Sequence, residues 1–153
     1  MSLLARIMYR ALVWKERQRA RRGRSIRGTN VVGDPEHLVT GRRGETLAYW
    51  YLRQTGYNIV ARNLRSRNGE LDLIGWDGAV LAFVEVKTRT SSVAGPPEGA
   101  VNRSKQKRII KAANEYMRRL RRTSLTYRFD ITSVAWDAKA GLQVRLIKDA
   151  FKD

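Results

Sequence analysis

The chain has 153 residues, 42% of them hydrophobic, which is enough for one domain with a buried core and argues against a disordered chain. It carries 31 Lys and Arg against 14 Asp and Glu, and the net charge of +17 favours nucleic acid as the partner, with ribosomal RNA or an anionic membrane surface as alternatives. Cysteine is absent and His37 is the single histidine, which excludes Cys-based zinc sites and favours a metal site built from oxygen ligands, for Mg²⁺ or Mn²⁺.

Residues 1–36 are predicted to form a basic N-terminal extension. Leu3, Ile7 and Leu12 belong to a set of apolar residues at helical spacing, which predicts a short amphipathic basic helix. The run from Arg17 to Pro35 lacks periodicity and predicts a flexible arm that binds nucleic acid. Its candidate phosphate-binding residues are Arg17, Arg19, Arg21 and Arg22. A transit peptide is the alternative, because the segment is rich in arginine and poor in acids.

No stretch approaches the length of a membrane span, and the N-terminus lacks the continuous apolar segment of a secretory signal. We therefore expect a cytoplasmic protein without a membrane span.

Residues 37–153 are predicted to fold as one α/β domain with the order α-β-β-β-α-β-β, a mixed central sheet flanked by helices. The helices are expected at His37–Thr55, ended by Gly56, and at Val101–Arg122. Apolar segments bounded by turn residues predict the strands, at 57–64, 70–76, 79–89, 127–136 and 142–148. A loop is expected at 91–97 and a polar turn at 137–141.

Two charged residues, Glu85 and Lys87, lie in the otherwise apolar stretch LAFVEVKTR. Burying such ions costs several kcal/mol each unless they find a partner or a metal. An exposed strand end with ordinary surface partners is the competing interpretation.

The dipeptide Asp77-Gly78 predicts a two-residue hairpin turn between the two strands that carry these charges. That register pairs Asp72 with Phe83 and sets Glu70 opposite Glu85. Because side chains alternate between the two faces of a sheet, Glu70, Asp72, Glu85 and Lys87 then share one face. Asp72 and Glu85 are diagonal neighbours there, roughly 7–8 Å apart. Two carboxylates at that separation can share one divalent cation, beside which Lys87 could orient a water molecule.

Glu45 shares a helix stripe with the small and apolar residues Gly41, Ala48 and Leu52, which favours an inward position near the metal over a capping or surface role. Lys105 opens the second long helix. Two interpretations of Lys105 are equally supported. Its side chain positions phosphate or water beside the metal, or it belongs to a solvated basic face of the helix.

The segments GRRGETLAYWYL (41–52), GELDLIGWDGAVLAFVEVKTR (69–89) and RFDI (128–131) resemble the bacterial YraN-like (UPF0102) family, as do Lys105 and Ala113. That family belongs to the PD-(D/E)-x-K nuclease superfamily, with the Holliday junction resolvase-like endonucleases. The resemblance runs from Gly41 to about Lys148 and implies a restriction-endonuclease-like core. It assigns Asp72, Glu85 and Lys87 to the nuclease motif, and Glu45 to a helix carboxylate of resolvase-like members.

The sequence thus predicts a Mg²⁺-dependent nuclease that hydrolyses phosphodiester bonds in DNA, and leaves open whether the substrate is linear, branched or repair-intermediate DNA. Glu45, Asp72 and Glu85 would hold the cation together with the Val86 carbonyl, and Lys87 would orient water. The alternatives are a catalytically inactive nucleic-acid-binding protein of the same fold, and a ribosome- or membrane-associated protein that acts through its basic arm. A homodimer stays open.

Overall fold

A computed structural model describes residues 2–23, 36–89, 101–120, 124–137 and 141–153, with side chains except those of 21–23, 36–40 and 137. Three helices are present in this part of the chain. Helix α1 spans Leu3–Gly23, α2 spans Glu36–Gln54 and α3 spans Arg103–Arg119. None of these helices is long and apolar enough to cross a membrane.

Five strands form a single mixed sheet in the order β1-β2-β3-β4-β5. The strands are β1 (Asn58–Ser66), β2 (Gly69–Asp77), β3 (Val80–Arg89), β4 (Tyr127–Asp137) and β5 (Gly141–Phe151). Strands β3 and β4 are parallel, as expected for a crossover through a helix, and the other neighbours are antiparallel. The predicted element order is confirmed, and the α/β fold is consistent with a restriction-endonuclease-like core.

The sheet is covered on both faces. In the α3 layer, Phe83 and Phe129 pack with Ile109 and Ala113 of α3. In the α2 layer, Leu47, Ala48 and Leu52 of α2 pack on the opposite face of the sheet, against a second set of buried strand residues that includes Leu73, Ala82, Val84 and Val134. The central strand β3 is consequently buried on both faces from Leu81 to Val86.

Helix α1 is longer than predicted. Residues 17–23, expected to belong to an irregular arm, continue the helix to Gly23. Arginine, glutamine and alanine are good helix formers, and packing on α2 adds tertiary support, including a contact between Tyr9 and Tyr51. Residues 24–35 of the predicted arm and the predicted loop at 91–97 lie outside the described residues, and the domain boundary at residue 36 stays a prediction.

The β2–β3 hairpin differs from its predicted register by two residues. Asp77 pairs with Val80 and Ile74 with Phe83, so the turn residues are Gly78 and Ala79 rather than Asp77 and Gly78. Gly78 takes the positive φ of 61° that a two-residue hairpin turn requires. Arg128 and Lys148 bond the Asp77 carboxylate at 2.5 and 2.6 Å and hold this residue in the strand.

Helix α2 lies close to β3 at Gly44. A Cβ atom added there would lie 2.1 Å from Thr88 Oγ1 and within 3.2 Å of two more Thr88 atoms. No side chain therefore fits at Gly44. At Gly41, by contrast, an added Cβ would meet nothing within 4 Å.

We expect Gly44→Ala to lower the free energy of unfolding, although alanine favours a helix by up to about 1 kcal/mol. The added methyl group overpacks against a stiff β-branched side chain, which typically costs about 1–3 kcal/mol. Urea unfolding measures the difference. Gly41→Ala is the matched control and should stabilise, while Thr88→Ala should relieve much of the effect of Gly44→Ala in a double-mutant cycle.

Candidate functional site

The candidate site begins where β2 and β3 stop pairing. Their backbone register ends at Leu73 and Val84, and beyond it the Asp72 side chain accepts the Val86 amide through Oδ2 at 2.7 Å. Continued past Leu73, the register sets Asp72 opposite Glu85, and not opposite Phe83 as predicted. A side-chain oxygen thus takes the place of a backbone carbonyl in the ladder.

The alternation of β2 is interrupted at Asp72. Leu71 and Ile74 both belong to the α3 layer, whereas Leu73 belongs to the α2 layer. On the neighbouring strand, Asn63 has a positive φ of 48° at the level of Asp72. This local irregularity turns Asp72 out of the sheet pattern and towards β3.

Glu85 is buried, with 6% of its surface exposed. Its Oε1 atom forms an ion pair with Lys105 Nζ of α3 at 3.2 Å. Its Oε2 atom is buried and has no hydrogen-bond partner among the described residues, and the other two such atoms belong to the uncharged side chains of Thr132 and Trp136. The site therefore contains a carboxylate of which one oxygen is left unsatisfied.

The pKa of Asp72 is raised from 3.8 to about 7. Burial is the largest cause and the negative charge of Glu85 the second, while the Val86 amide and Lys105 oppose the rise. The charge of Glu45 adds a smaller upward contribution. The carboxyl groups of Asp72 and Glu85 are thus close enough to repel each other in a desolvated place.

Glu45 is half-buried on α2, next to Gly44 at the contact with β3. Within the described residues no set of three or more His, Cys, Asp or Glu side chains is arranged to hold a metal ion. Asp72 and Glu85 form the acidic pair of the site, and the role of Glu45 as a further ligand stays a prediction.

Glu70 does not oppose Glu85 as predicted, because the true register moves it along the strand. Its carboxylate lies 3.9 Å from Arg65 of β1 and is partly exposed. The expected like-charge pair of Glu70 and Glu85 was therefore wrong.

Lys87 follows Glu85 by two residues on β3 and is half-buried. No hydrogen bond or ion pair engages its ammonium group within the part of the chain that the structure describes. Lys105, by contrast, lies in the site through its ion pair with Glu85, and its role in positioning phosphate or water stays a prediction.

Sequence reasoning missed a basic stripe on the outer face of α3. Its residues recur at helical spacing and are all exposed, namely Arg103, Lys107, Lys111 and Arg118, with Asn114 between the last two. Two adjoining surface grooves of about 660 and 380 Å³ share Lys111. The spacing of 103, 107, 111 and 118 was the signal that could have revealed this stripe.

The segment RFDI has a structural role in this fold. Asp130 is fully buried and accepts hydrogen bonds from Tyr57 Oη, the Arg128 guanidinium and the Asp149 amide, each at 2.9 Å. Arg128 also bonds Asp77 across the β2–β3 turn. This network ties β4 to β2, β5 and Tyr57, which follows α2.

The four arginines predicted to bind nucleic acid lie on α1. Arg17 is exposed, and Arg19 forms an ion pair with Glu16 at 3.0 Å. The backbone of Arg21 and Arg22 is helical, and their side chains lie outside the described ones. Their contact with nucleic acid stays a prediction.

Comparison with known proteins places most of this core in one family. The profile described as "Uncharacterised protein family UPF0102" matches residues 44–134, from the start of the α2–β3 contact to β4. A UPF0102 protein of Koribacter versatilis (strain Ellin345) is 46% identical over 120 residues, 77% of this chain and 82% of the relative. A UPF0102 protein of Solibacter usitatus (strain Ellin6076) is 50% identical over 105 residues, 67% of this chain and 80% of the relative. A UPF0102 protein of Symbiobacterium thermophilum is 45% identical over 111 residues, 72% of this chain and 94% of the relative.

The raised pKa of Asp72 predicts a pH dependence of stability in the presence of a chelator. Because the folded state holds the Asp72 proton more tightly than the unfolded chain, its contribution is complete below about pH 4 and is lost as the pH rises through about 7. Asp72→Asn keeps an acceptor for the Val86 amide and removes the charge. It should therefore melt at a higher temperature than the parent at pH 8 and at the same temperature near pH 4.

Asp77→Asn on the same strand is the matched control with the opposite sign. Lys148 and Arg128 lower the pKa of Asp77, so its carboxylate stabilises the fold above about pH 4 and this stabilisation is lost on acidification. Asp77→Asn should melt lower than the parent at pH 8. A parallel pH profile for parent and Asp72→Asn would show that Asp72 is not the titrating group.

Proposed function

The chain belongs to the UPF0102 family, and we propose that it is a Mg²⁺-dependent nuclease that hydrolyses phosphodiester bonds in DNA. The observation that carries the proposal is the buried Glu85 carboxylate, whose Oε2 atom lacks a partner among the described residues. A buried charge that is incompletely paired is strongly destabilising in a purely structural role. The unsatisfied oxygen therefore supports a cation as the missing partner.

The donor set fits a hard divalent cation. Mg²⁺ takes oxygen ligands, commonly one or two carboxylates, and keeps several waters, which suits Asp72 and Glu85. In an extended strand the N–H and C=O groups of one residue point towards the same neighbouring strand. Because the Val86 N–H donates to Asp72 of β2, the Val86 carbonyl also points towards β2. The Val86 carbonyl is thus the third proposed ligand, and Glu45 a more distant fourth. Mn²⁺ would be held by the same atoms.

A bound Mg²⁺ would polarise a phosphoryl oxygen and lower the pKa of a water molecule at the scissile phosphate. In hydrolysis the water oxygen bonds to phosphorus, one phosphorus–sugar oxygen bond breaks, and the water proton passes to the leaving oxygen. The ammonium group of Lys87 would donate to the attacking water or to a phosphoryl oxygen, where negative charge develops. Its lack of an ion pair within the described residues supports this role.

The outer basic stripe of α3 is the proposed path of the DNA backbone. It extends over about 22 Å, at 1.5 Å for each residue from Arg103 to Arg118. The first turn of α3 contains the cations Arg103 and Lys105 and no acidic residue. Cations at this end of a helix are disfavoured by the helix dipole. Stability alone does not explain that placement, whereas phosphate binding does. Lys105 connects the stripe to the site through Glu85.

One observation favours the alternative, a nucleic-acid-binding protein of this family that cleaves nothing. Lys105 already neutralises part of the acidic pair, with its ammonium group 3.2 Å from Glu85. If Lys105 replaces the metal, Mn²⁺ titrated calorimetrically into the protein gives no binding. If the site holds metal, Mn²⁺ binds in the parent and Glu85→Gln weakens that binding.

Variants of Glu85 and Lys87 should separate metal binding from cleavage. Glu85→Gln keeps size and hydrogen bonding but should lose metal affinity, while Lys87→Ala should retain the metal and slow cleavage by roughly 10²–10³-fold. Both should bind DNA, since the basic stripe of α3 is untouched. The measurement is turnover of linear, flapped and four-way branched DNA with Mg²⁺ or Mn²⁺, on the preparations used for metal titration.

Glu70→Gln is the matched control, because it removes a carboxylate from the same hairpin outside the acidic pair. It should cleave like the parent. Metal binding without turnover of any of these DNA substrates would reject the nuclease proposal and leave the binding protein. Unfolding of both site variants, measured by circular dichroism, would assign Glu85 and Lys87 to stability instead.

The DNA path makes a separate prediction about salt. Lys107→Gln with Lys111→Gln should reduce the slope of log affinity against log salt by about 0.9 for each lost phosphate contact on duplex DNA. Arg145→Gln with Lys152→Gln removes the same charge from exposed positions of β5 and its end and should leave the slope unchanged. Equal slopes for both pairs would mean that α3 is not the track, and neutralising Arg17, Arg19, Arg21 and Arg22 then tests the predicted arm.

A further inference from the structure

Helix α1 has two apolar stripes on opposite sides. One side, which includes Ala5, Tyr9, Leu12 and Val13, faces α2, and Ala5 is completely buried. At about 100° for each residue, a second set falls within an arc of about 100° on the far side. This outer apolar stripe of α1 consists of Leu3, Leu4, Ile7, Ala11 and Trp14.

The outer apolar stripe is unusually exposed. Leu3, Leu4, Ile7 and Trp14 expose 71, 62, 55 and 64% of their surface, and the remaining large hydrophobic residue exposed among those described is Val60. Large apolar residues at a contiguous exposed patch mark an interaction surface more often than scattered ones do. Burial against α2 fixes the direction of this face, because the opposite side of the helix is already packed.

Basic residues border the stripe. Arg6, Arg10 and Arg17 lie along one edge and Lys15 along the other, all exposed. The whole helix carries seven basic residues and one acidic residue, Glu16, for a net charge of +6. The acid is buried and bonded to Arg43, so the exposed surface of the helix is apolar and cationic only.

This combination of apolar and cationic side chains favours one class of partner. The cations would bind the phosphates of a nucleic acid, but the exposed leucine and isoleucine side chains would not contribute to that contact. A second copy of the same helix would bring +6 against +6 across the apolar contact. An anionic bilayer surface accommodates both features, since the apolar side chains enter the acyl boundary and the flanking cations meet lipid phosphates.

We propose that α1 is an interfacial membrane helix, which docks the protein on anionic phospholipid through its outer apolar stripe while the rest of the protein stays in water. The family profile begins at residue 44, so the residues of this stripe lie outside the segment that it matches. The site of Asp72 and Glu85 takes no part in the contact.

Vesicle flotation of the full chain tests the proposal, with equal parts of phosphatidylcholine and phosphatidylglycerol, without DNA or divalent cation. The parent should bind these vesicles and not pure phosphatidylcholine. Leu4→Gln with Ile7→Gln should weaken binding by roughly tenfold or more, as expected for two buried aliphatic side chains. Arg6→Gln with Arg10→Gln should weaken it about fivefold for each arginine.

Val60→Gln is the matched control for an exposed hydrophobic residue, and Arg145→Gln with Lys152→Gln for charge. Both should bind vesicles like the parent, and all variants should melt like the parent because every substituted side chain is exposed.

Unchanged vesicle binding in Leu4→Gln/Ile7→Gln would overturn the proposal in favour of non-specific electrostatic attraction. Failure of the parent to bind, with a concentration-dependent dimer that Ile7→Gln dissociates, would overturn it in favour of a second copy. Because no DNA or metal is present, either result leaves the nuclease proposal untouched.

Discussion

The burial of β3 on both faces is the constraint on which the candidate site depends. A strand between two helical layers has no solvated face, so the Glu85 carboxylate must find partners on the elements packed around it. Among the described residues Lys105 of α3 alone pairs with it, while β2 brings the Asp72 carboxyl group opposite it and α2 carries Glu45 next to the contact of Gly44 with Thr88. The site is therefore assembled by packing.

Much of this arrangement could be predicted from the sequence, because it follows from periodicity. The strand and helix order was correct, and the hairpin register was wrong by two residues, an even number that leaves the paired side chains from Leu73 to Asp77 on their predicted faces. What could not be predicted is the end of the β2–β3 ladder, where the Asp72 side chain replaces a carbonyl. That substitution depends on a local irregularity of β1 and β2 that no pattern of apolar residues encodes.

Helix α3 shows why composition alone could not assign its basic residues. The segment RSKQKR contains four cations in six residues, and on a helix a shift of two positions turns a side chain by about 200°. Lys105 consequently points to Glu85, while Arg103 and Lys107 face outwards. Lys105 moderates the charge of the acidic pair, whereas Arg103 and Lys107 belong to the basic surface. These roles can be told apart only when the position of the helix on the sheet is known.

The attachment of α1 to the core rests on a buried charge as well. Glu16 is 5% exposed and accepts hydrogen bonds from Arg43 of α2, whose guanidinium also lies 5.4 Å from the Trp136 ring. A buried carboxylate paired in this way gives directional specificity more readily than net stability, because its pairing has to offset its desolvation. Since Arg43 immediately precedes the residues that the family profile matches, α1 joins the rest of the protein at the edge of that segment. Rotation of α1 about its axis would expose Glu16 and separate this pair. The outward direction of Leu4, Ile7 and Trp14 is thus set by the same contact that joins the helix to the protein.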